Sequence, residues 1–208
     1  MSNSQLLVLA TIVTIGGLVV VVLATQQILR LPLWRARLLA GLLLLLYAAV
    51  LILRPSAWSV INLAVLAGAI GGAVLLGGSL GSVGAVAAFI VTAAVVDLVS
   101  VSGRLSRVII DGYQQGNNDL LLYLTLVVPI DGRIVPIVGI SDLFIGGSTI
   151  IALIKLGLKP VVVIGTISLG LVAALIYGIW QGTAPALPFI AVAVVLLAWR
   201  HPAGVSKL

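Results

Sequence analysis

Phe89-Ile90-Val91-Thr92-Ala93-Ala94-Val95-Val96-Asp97-Leu98-Val99-Ser100-Val101 carries one ionisable group, Asp97, in a run otherwise apolar enough to lie in a membrane. Ile137-Val138-Gly139-Ile140-Ser141-Asp142-Leu143-Phe144-Ile145-Gly146-Gly147 repeats the pattern around Asp142. A carboxylate in hydrocarbon is expensive, so an ionisable residue inside a span marks a functional site by default. If both stretches are spans, the chain is a polytopic α-helical membrane protein, and these aspartates are its candidate chemistry.

The composition agrees. The 208 residues are 62% hydrophobic and 8% charged, with a mean hydropathy of +1.36, far from soluble-domain averages. Of 11 basic residues most lie between the apolar runs, as membrane-flanking charge does, and no aromatic-interleaved basic patch suggests nucleic acid. All 5 acids are Asp, and there is no Cys. This excludes a disulfide framework, a thiolate nucleophile, a Cys-based metal site and a His-Glu-x-x-His zinc site. Met1-Ser2-Asn3-Ser4-Gln5 lacks the basic start of a signal peptide, so the first apolar run is expected to be a retained span.

Helices are expected over about 6–29, 38–53, 58–77, 83–101, 136–154, 161–180 and 185–200, giving about seven spans. Breaks fall at Leu31-Pro32, Arg54-Pro55-Ser56, Gly77-Gly78-Ser79-Leu80-Gly81, Lys155 to Pro160 and Gln181-Gly182-Thr183. Gly68 and Gly72 have the small-xxx-small spacing that lets helix backbones approach. With the N-terminus outside, the inner face carries Arg30, Arg35, Arg37, Lys155, Lys159, Arg200 and Lys207, seven of the 11 cations; Arg54, Arg104, Arg107 and Arg133 lie on the other. The positive-inside rule favours this orientation, with the C-terminus cytoplasmic.

The long connection, 102–135, is polar through Gly112 to Asp119 and then apolar from Leu120 to Val128. Asp131-Gly132 between two apolar runs signals a hairpin. A strand or interfacial segment, a turn and entry to the fifth helix at Pro136 are expected, with a short re-entrant span as the rival. Asp111, Asp119 and Asp131 read as solvated loop residues. Asn62, an amide inside the third span, reads as core packing, with a transport site as the alternative.

Counted at 1.5 Å per residue, Asp97 and Asp142 fall roughly 6–9 Å below the same membrane face. No Lys, Arg or His lies inside these helices. Two carboxyls sharing a site cannot both ionise cheaply and so lose their protons in separate steps. One can activate a water while the other, protonated, polarises a carbonyl, as in aspartic proteases. A proton or cation relay, and a purely structural pair, fit the same residues. Pro185-Ala186-Leu187-Pro188 opens the last span on the same face, where a helix start leaves backbone groups unpaired.

Val96-Asp97-Leu98-Val99-Ser100-Val101 resembles the first-aspartate motif of the presenilin and signal peptide peptidase family. Gly139-Ile140-Ser141-Asp142 resembles its G-x-G-D motif, and Pro185-Ala186-Leu187 matches its P-A-L motif. The three stand in the family's order, and the resemblance covers about 90–200. It implies an intramembrane aspartyl protease with Asp97 and Asp142 as the catalytic pair, and Gly139, Ser141, Pro185, Ala186 and Leu187 shaping the site. The apolar runs then divide into three N-terminal spans over 1–82 and a catalytic region over 83–208, and the chemistry is expected to use no cofactor or metal. The protein's partners would be the lipid bilayer and, as substrates, transmembrane helices of other membrane proteins. A substrate strand would pair beside the second catalytic helix, a role the Leu120–Pro136 hairpin suits. The orientation and the short spacing between the aspartates resemble the signal peptide peptidase branch, with two of the family's usual nine spans missing.

Val96 replaces the family's Tyr and Ser141 its Gly, which keeps an inactive, substrate-binding homologue open. Type IV prepilin peptidases share a G-x-G-D-like motif but leave Pro185-Ala186-Leu187 unexplained. Gly77-Gly78-Ser79-Leu80-Gly81 is a formal G-x-S-x-G, but it lies in a helix break rather than a nucleophile elbow, with only His201 as base. The main rival from another class is an ion- or proton-coupled transporter or channel subunit using the same aspartates.

Overall fold

Long apolar runs become long helices wherever no proline or glycine interrupts them. The computed structural model describes residues 3–102, 105–116, 119–181 and 185–200. Arg104, Gly182, Thr183, His201 and Lys207 lie outside them, as do the side chains of Arg107 and Arg200. In chain order the elements are α1 (Asn3–Leu29), α2 (Leu33–Leu53), α3 (Trp58–Ser79), α4 (Val83–Ser102), α5 (Leu105–Gln114), α6 (Leu120–Tyr123), β1 (Thr125–Ile130), β2 (Arg133–Gly139), α7 (Ile140–Lys155), α8 (Pro160–Gln181) and α9 (Leu187–Arg200).

The punctuation works as local chemistry requires. Pro32 precedes α2, and Arg54 closes it in the left-handed region (φ 48°). After α7, Gly157 takes φ +91°, its N–H bonds the Ile154 carbonyl, and the Leu158 N–H bonds that of Leu153. This is a Schellman ending, which needs a residue without a Cβ at the left-handed position. Pro160 then starts α8, where its missing N–H would have been unpaired anyway.

Among the described residues five helices, α1 to α4 and α8, are long and apolar enough to cross a membrane. That corrects the expectation of seven. The physical reason lies at two helix starts. Residues 136–139 belong to β2, so α7 has only 16 residues, and α9 begins at Leu187 rather than Pro185 and has 14. At 1.5 Å per residue α7 reaches about 24 Å, short of the ~30 Å hydrocarbon thickness, and the described part of α9 about 21 Å. The connection also holds a helix that was not expected, the amphipathic α5, and the single turn α6.

The most buried of the five long helices is α3, which packs against α1, α2, α7 and β1. Glycines make the approach to α7 possible. A Cβ on Gly68 would stand 2.8 Å from Ile140 Cδ1, one on Gly72 2.7 Å from Phe144 Cδ2, and one on Gly77 3.0 Å from the Ser148 carbonyl oxygen. The rising order on both helices makes α3 and α7 parallel. Ser79 ends α3 with its hydroxyl donating to the Leu76 carbonyl at 2.8 Å, so Gly77–Gly81 is a helix terminus and no nucleophile elbow.

The contact at Gly77 is with backbone, which cannot rotate away. Gly77→Ala is therefore expected to lower stability by roughly 1–3 kcal/mol through overpacking. Gly16→Ala, where a Cβ meets nothing within 4 Å, is expected to leave stability unchanged or raise it by up to about 1 kcal/mol. Thermal unfolding of both variants in detergent checks the pair.

Candidate active site at the hairpin–helix junction

The hairpin forms because Asp131 and Gly132 both take positive φ, 49° and 75°, the type I′ geometry that matches the natural strand twist. Its register pairs Ile130 with Arg133, Pro129 with Ile134, Val128 with Val135 and Val127 with Pro136. Pairs in an antiparallel ladder alternate between bonded and non-bonded. Counting from the two-residue turn, Pro129, Ile134, Val127 and Pro136 point their backbone groups away from the partner strand. Both prolines thus sit where no ladder N–H is needed.

Each outward group inside a membrane must still find a partner. On β1, Asn62 supplies both: its Nδ2 donates to the Val127 carbonyl at 2.8 Å, and its Oδ1 accepts the Val127 N–H at 2.8 Å. A side-chain amide here imitates a neighbouring strand and closes that edge. On β2 the Tyr113 hydroxyl donates to the Ile134 carbonyl. The hairpin is also tied to the helices by Tyr47, whose hydroxyl donates to the Tyr123 carbonyl at 3.1 Å, and by Tyr123, whose hydroxyl donates to the Pro55 carbonyl at 3.2 Å. The irregularity between Leu126 and Val127 leaves Ile137 as the extra residue of β2, bending the strand toward α7.

β2 runs straight into α7. Gly139 is the N-cap (φ −68°, ψ 146°), Ile140 opens the helix, and Asp142 is its third residue. The Gly139 N–H donates toward the Asp142 carboxyl, one half of a capping box. A Cβ on Gly139 would stand 3.2 Å from Asp142 Oδ2 and 3.3 Å from Ser141 Oγ, so this close return of the carboxyl needs a glycine. Ser141 is exposed and Asp142 half-buried. Asp142 therefore sits at a helix start approached by a strand, not six residues into a span begun at Pro136.

Asp97 arrives from α4. Its Oδ2 accepts the Leu187 N–H at 3.0 Å, and the Ala186 N–H is directed at the same carboxyl. These are the unpaired amides that open α9, where the helix dipole favours an anion. The Asp97 carboxyl also lies within electrostatic range of Asp142. The two aspartates, Gly139, Ser141, Ala186 and Leu187 thus come together, with half-buried Pro185 beside them in the chain.

A cavity of about 370 Å³ opens beside Asp142, walled by Thr14, Pro136, Ile137, Leu171 and Ala186 among others. Thr14 went unnoticed in the sequence. It is buried, and its hydroxyl has no hydrogen-bond partner, whereas Thr149 returns its hydroxyl to the Ile145 carbonyl at 2.8 Å. The signal was its place on the stripe Leu6, Ala10, Thr14, which needs the packing of α1 to be read. A larger cavity of about 720 Å³ between α8 and α9 has no ionisable group in its wall and stands apart from this chemistry.

No protein-family model matches the chain, and neither the curated proteins nor the solved structures searched offer a match.

Removing the Asn62 amide strands two backbone groups at once. Asn62→Leu is expected to lower stability by about 1–3 kcal/mol for each group left unpaired and to speed hydrogen exchange along β1. Thermal unfolding and exchange of the Val127 amide would check this; unchanged exchange would show that Asn62 does not close the edge.

Proposed function

We propose that the protein is an intramembrane aspartyl endopeptidase that hydrolyses peptide bonds in transmembrane helices of other membrane proteins. One observation carries this reading: a hydrogen bond across 90 residues of sequence sets Asp97 against Leu187, while Asp97 stays within electrostatic range of Asp142. These are the three segments whose motifs resemble the presenilin and signal peptide peptidase family.

Between them the two carboxyls hold one proton. The ionised one takes a proton from water as the water oxygen bonds to the scissile carbonyl carbon. The protonated one gives its proton to the carbonyl oxygen, forming a tetrahedral diol. Collapse breaks the C–N bond: one carboxyl gives its proton to the leaving amine while the other takes a proton from a diol hydroxyl as the new carboxyl C=O forms, so the pair again holds one proton. The resemblance assigns the roles, and α9 supports them by steadying Asp97 through its opening amides. The outer edge of β2, with the Pro136 carbonyl directed outward, suits an unwound substrate segment added as a strand. In this reading the N-terminus lies outside and the C-terminus is cytoplasmic, as the distribution of cations favours. Ion or proton coupling through the same pair is the second reading; the unpartnered Thr14 hydroxyl beside Asp142 favours it as a further polar group in the cavity wall.

Purified protein and a helix-destabilised transmembrane substrate in detergent test the proposal. Asp97→Asn and Asp142→Asn are each expected to reduce cleavage by about 10²–10⁴-fold or more while the proteins still fold, and a transition-state-type aspartyl protease inhibitor is expected to block it. Cleavage surviving either substitution would remove the two-aspartate mechanism. Ser141→Gly is expected to keep or raise activity, since Ser141 is exposed and the Gly139 N–H is directed at the Asp142 carboxyl.

A further inference from the structure

At the opposite end of the bundle, the ends of α1, α3 and α7 and the start of α2 enclose a second cavity, of about 560 Å³. Three cations line it: Arg30, Arg37 and Lys155, all exposed. Lys155 Nζ donates to the Gly78 carbonyl at 2.7 Å, which anchors the ammonium at the rim. Arg30 Nη1 donates to Gln27 Oε1 at 3.2 Å. Deeper along α3 and α7 the wall is apolar, with Val74, Leu75 and Ile151, while Leu33 stands at the start of α2.

Among the described residues no acid stands beside these cations. The chain's 5 acids are Asp97, Asp111, Asp119, Asp131 and Asp142. Asp97 and Asp142 belong to the site described above, and Asp131 is the hairpin turn. Asp111 is in α5, whose Tyr113 bonds to β2, and Asp119 immediately precedes α6. All lie toward the hairpin end. The occupant must therefore bring the negative charge. Its surroundings also show where it comes from. Trp34, highly exposed, sits one residue from Arg35 with the guanidinium carbon 5.0 Å from its ring centroid, and exposed Trp beside Arg marks the membrane–water interface. A pocket at that level with cations above and an apolar wall below matches a headgroup phosphate over an acyl chain, and Arg presents a fork that fits phosphate oxygens.

We propose that the cavity between α1, α2, α3 and α7 is a binding site for an anionic phospholipid, its phosphate held by Arg30, Arg37 and Lys155 and its acyl chain lying along Val74, Leu75 and Ile151. The site is independent of the proteolytic reading.

Native mass spectrometry of the full chain in a neutral detergent tests it, with phosphatidylglycerol, phosphatidylcholine and inorganic phosphate as probes. Phosphatidylglycerol is expected to bind in preference to phosphatidylcholine. Each of Arg30→Gln, Arg37→Gln and Lys155→Gln is expected to weaken it by about 5-fold, the effect of roughly 1 kcal/mol per cation. Arg54→Gln and Arg133→Gln, at the other end, are expected to leave it unchanged. Equal uptake of the two lipids, or an equal loss in the Arg54 and Arg133 variants, would overturn the site. Displacement of the lipid by millimolar inorganic phosphate would assign the pocket to a soluble anion and overturn the lipid. Because all three cations are exposed, the single variants are expected to fold, and unchanged binding in all three would also overturn the proposal.

Discussion

A peptide group in hydrocarbon has no water to turn to, and much of this structure follows from that constraint. Helices satisfy it within themselves, except at their first amides and last carbonyls. The hairpin satisfies it between two strands, except on their outer edges. Four half-buried polar side chains near the site stand at those exceptions: Asn62 at the edge of β1, Tyr113 at the edge of β2, Asp142 at the start of α7 and Asp97 at the start of α9. The aspartates thus have a backbone role whatever chemistry they perform. Each accepts amide hydrogens that would otherwise be unpaired, and that role brings their carboxyls to one place.

Packing supplies the rest of the precision. Without a hydrophobic drive between helices, close contact depends on shape. Gly68, Gly72 and Gly77 let α3 approach α7, and Asn62 on the same helix holds β1. One helix therefore fixes both the strand and the helix that flank Asp142. The small-xxx-small pair that suggested close packing in the sequence is the upper part of this seam, and Gly77 extends it to the backbone of Ser148.

The parts legible in the sequence were those with local causes. Hydropathy marked the helices, Asp131-Gly132 marked the turn through its demand for positive φ, and the rarity of acids drew attention to Asp97 and Asp142. The start of α7 was misplaced because proline suits both a first helical turn and an outward strand position; only the ladder register separates the two at Pro136. That error also lengthened α7 and raised the number of apparent spans. The amphipathic α5 was hidden in a polar connection too short for a membrane pattern. Asn62 and Thr14 were visible as residues but not as roles, since their neighbours Val127 and Asp142 lie far away in sequence.

The hydrogen bond between Asp97 and Leu187 also has a consequence in time. A ribosome adding about 5–20 residues per second needs roughly 5–18 s to cover the 90 residues between them. Throughout that interval α4 is already made while the amides that steady its carboxylate do not yet exist. The nascent chain therefore passes through the insertion machinery, among other unfinished membrane segments, with its acidic pair unassembled. Whatever these carboxyls do, they acquire the ability late, when the P-A-L segment has been synthesised and has docked.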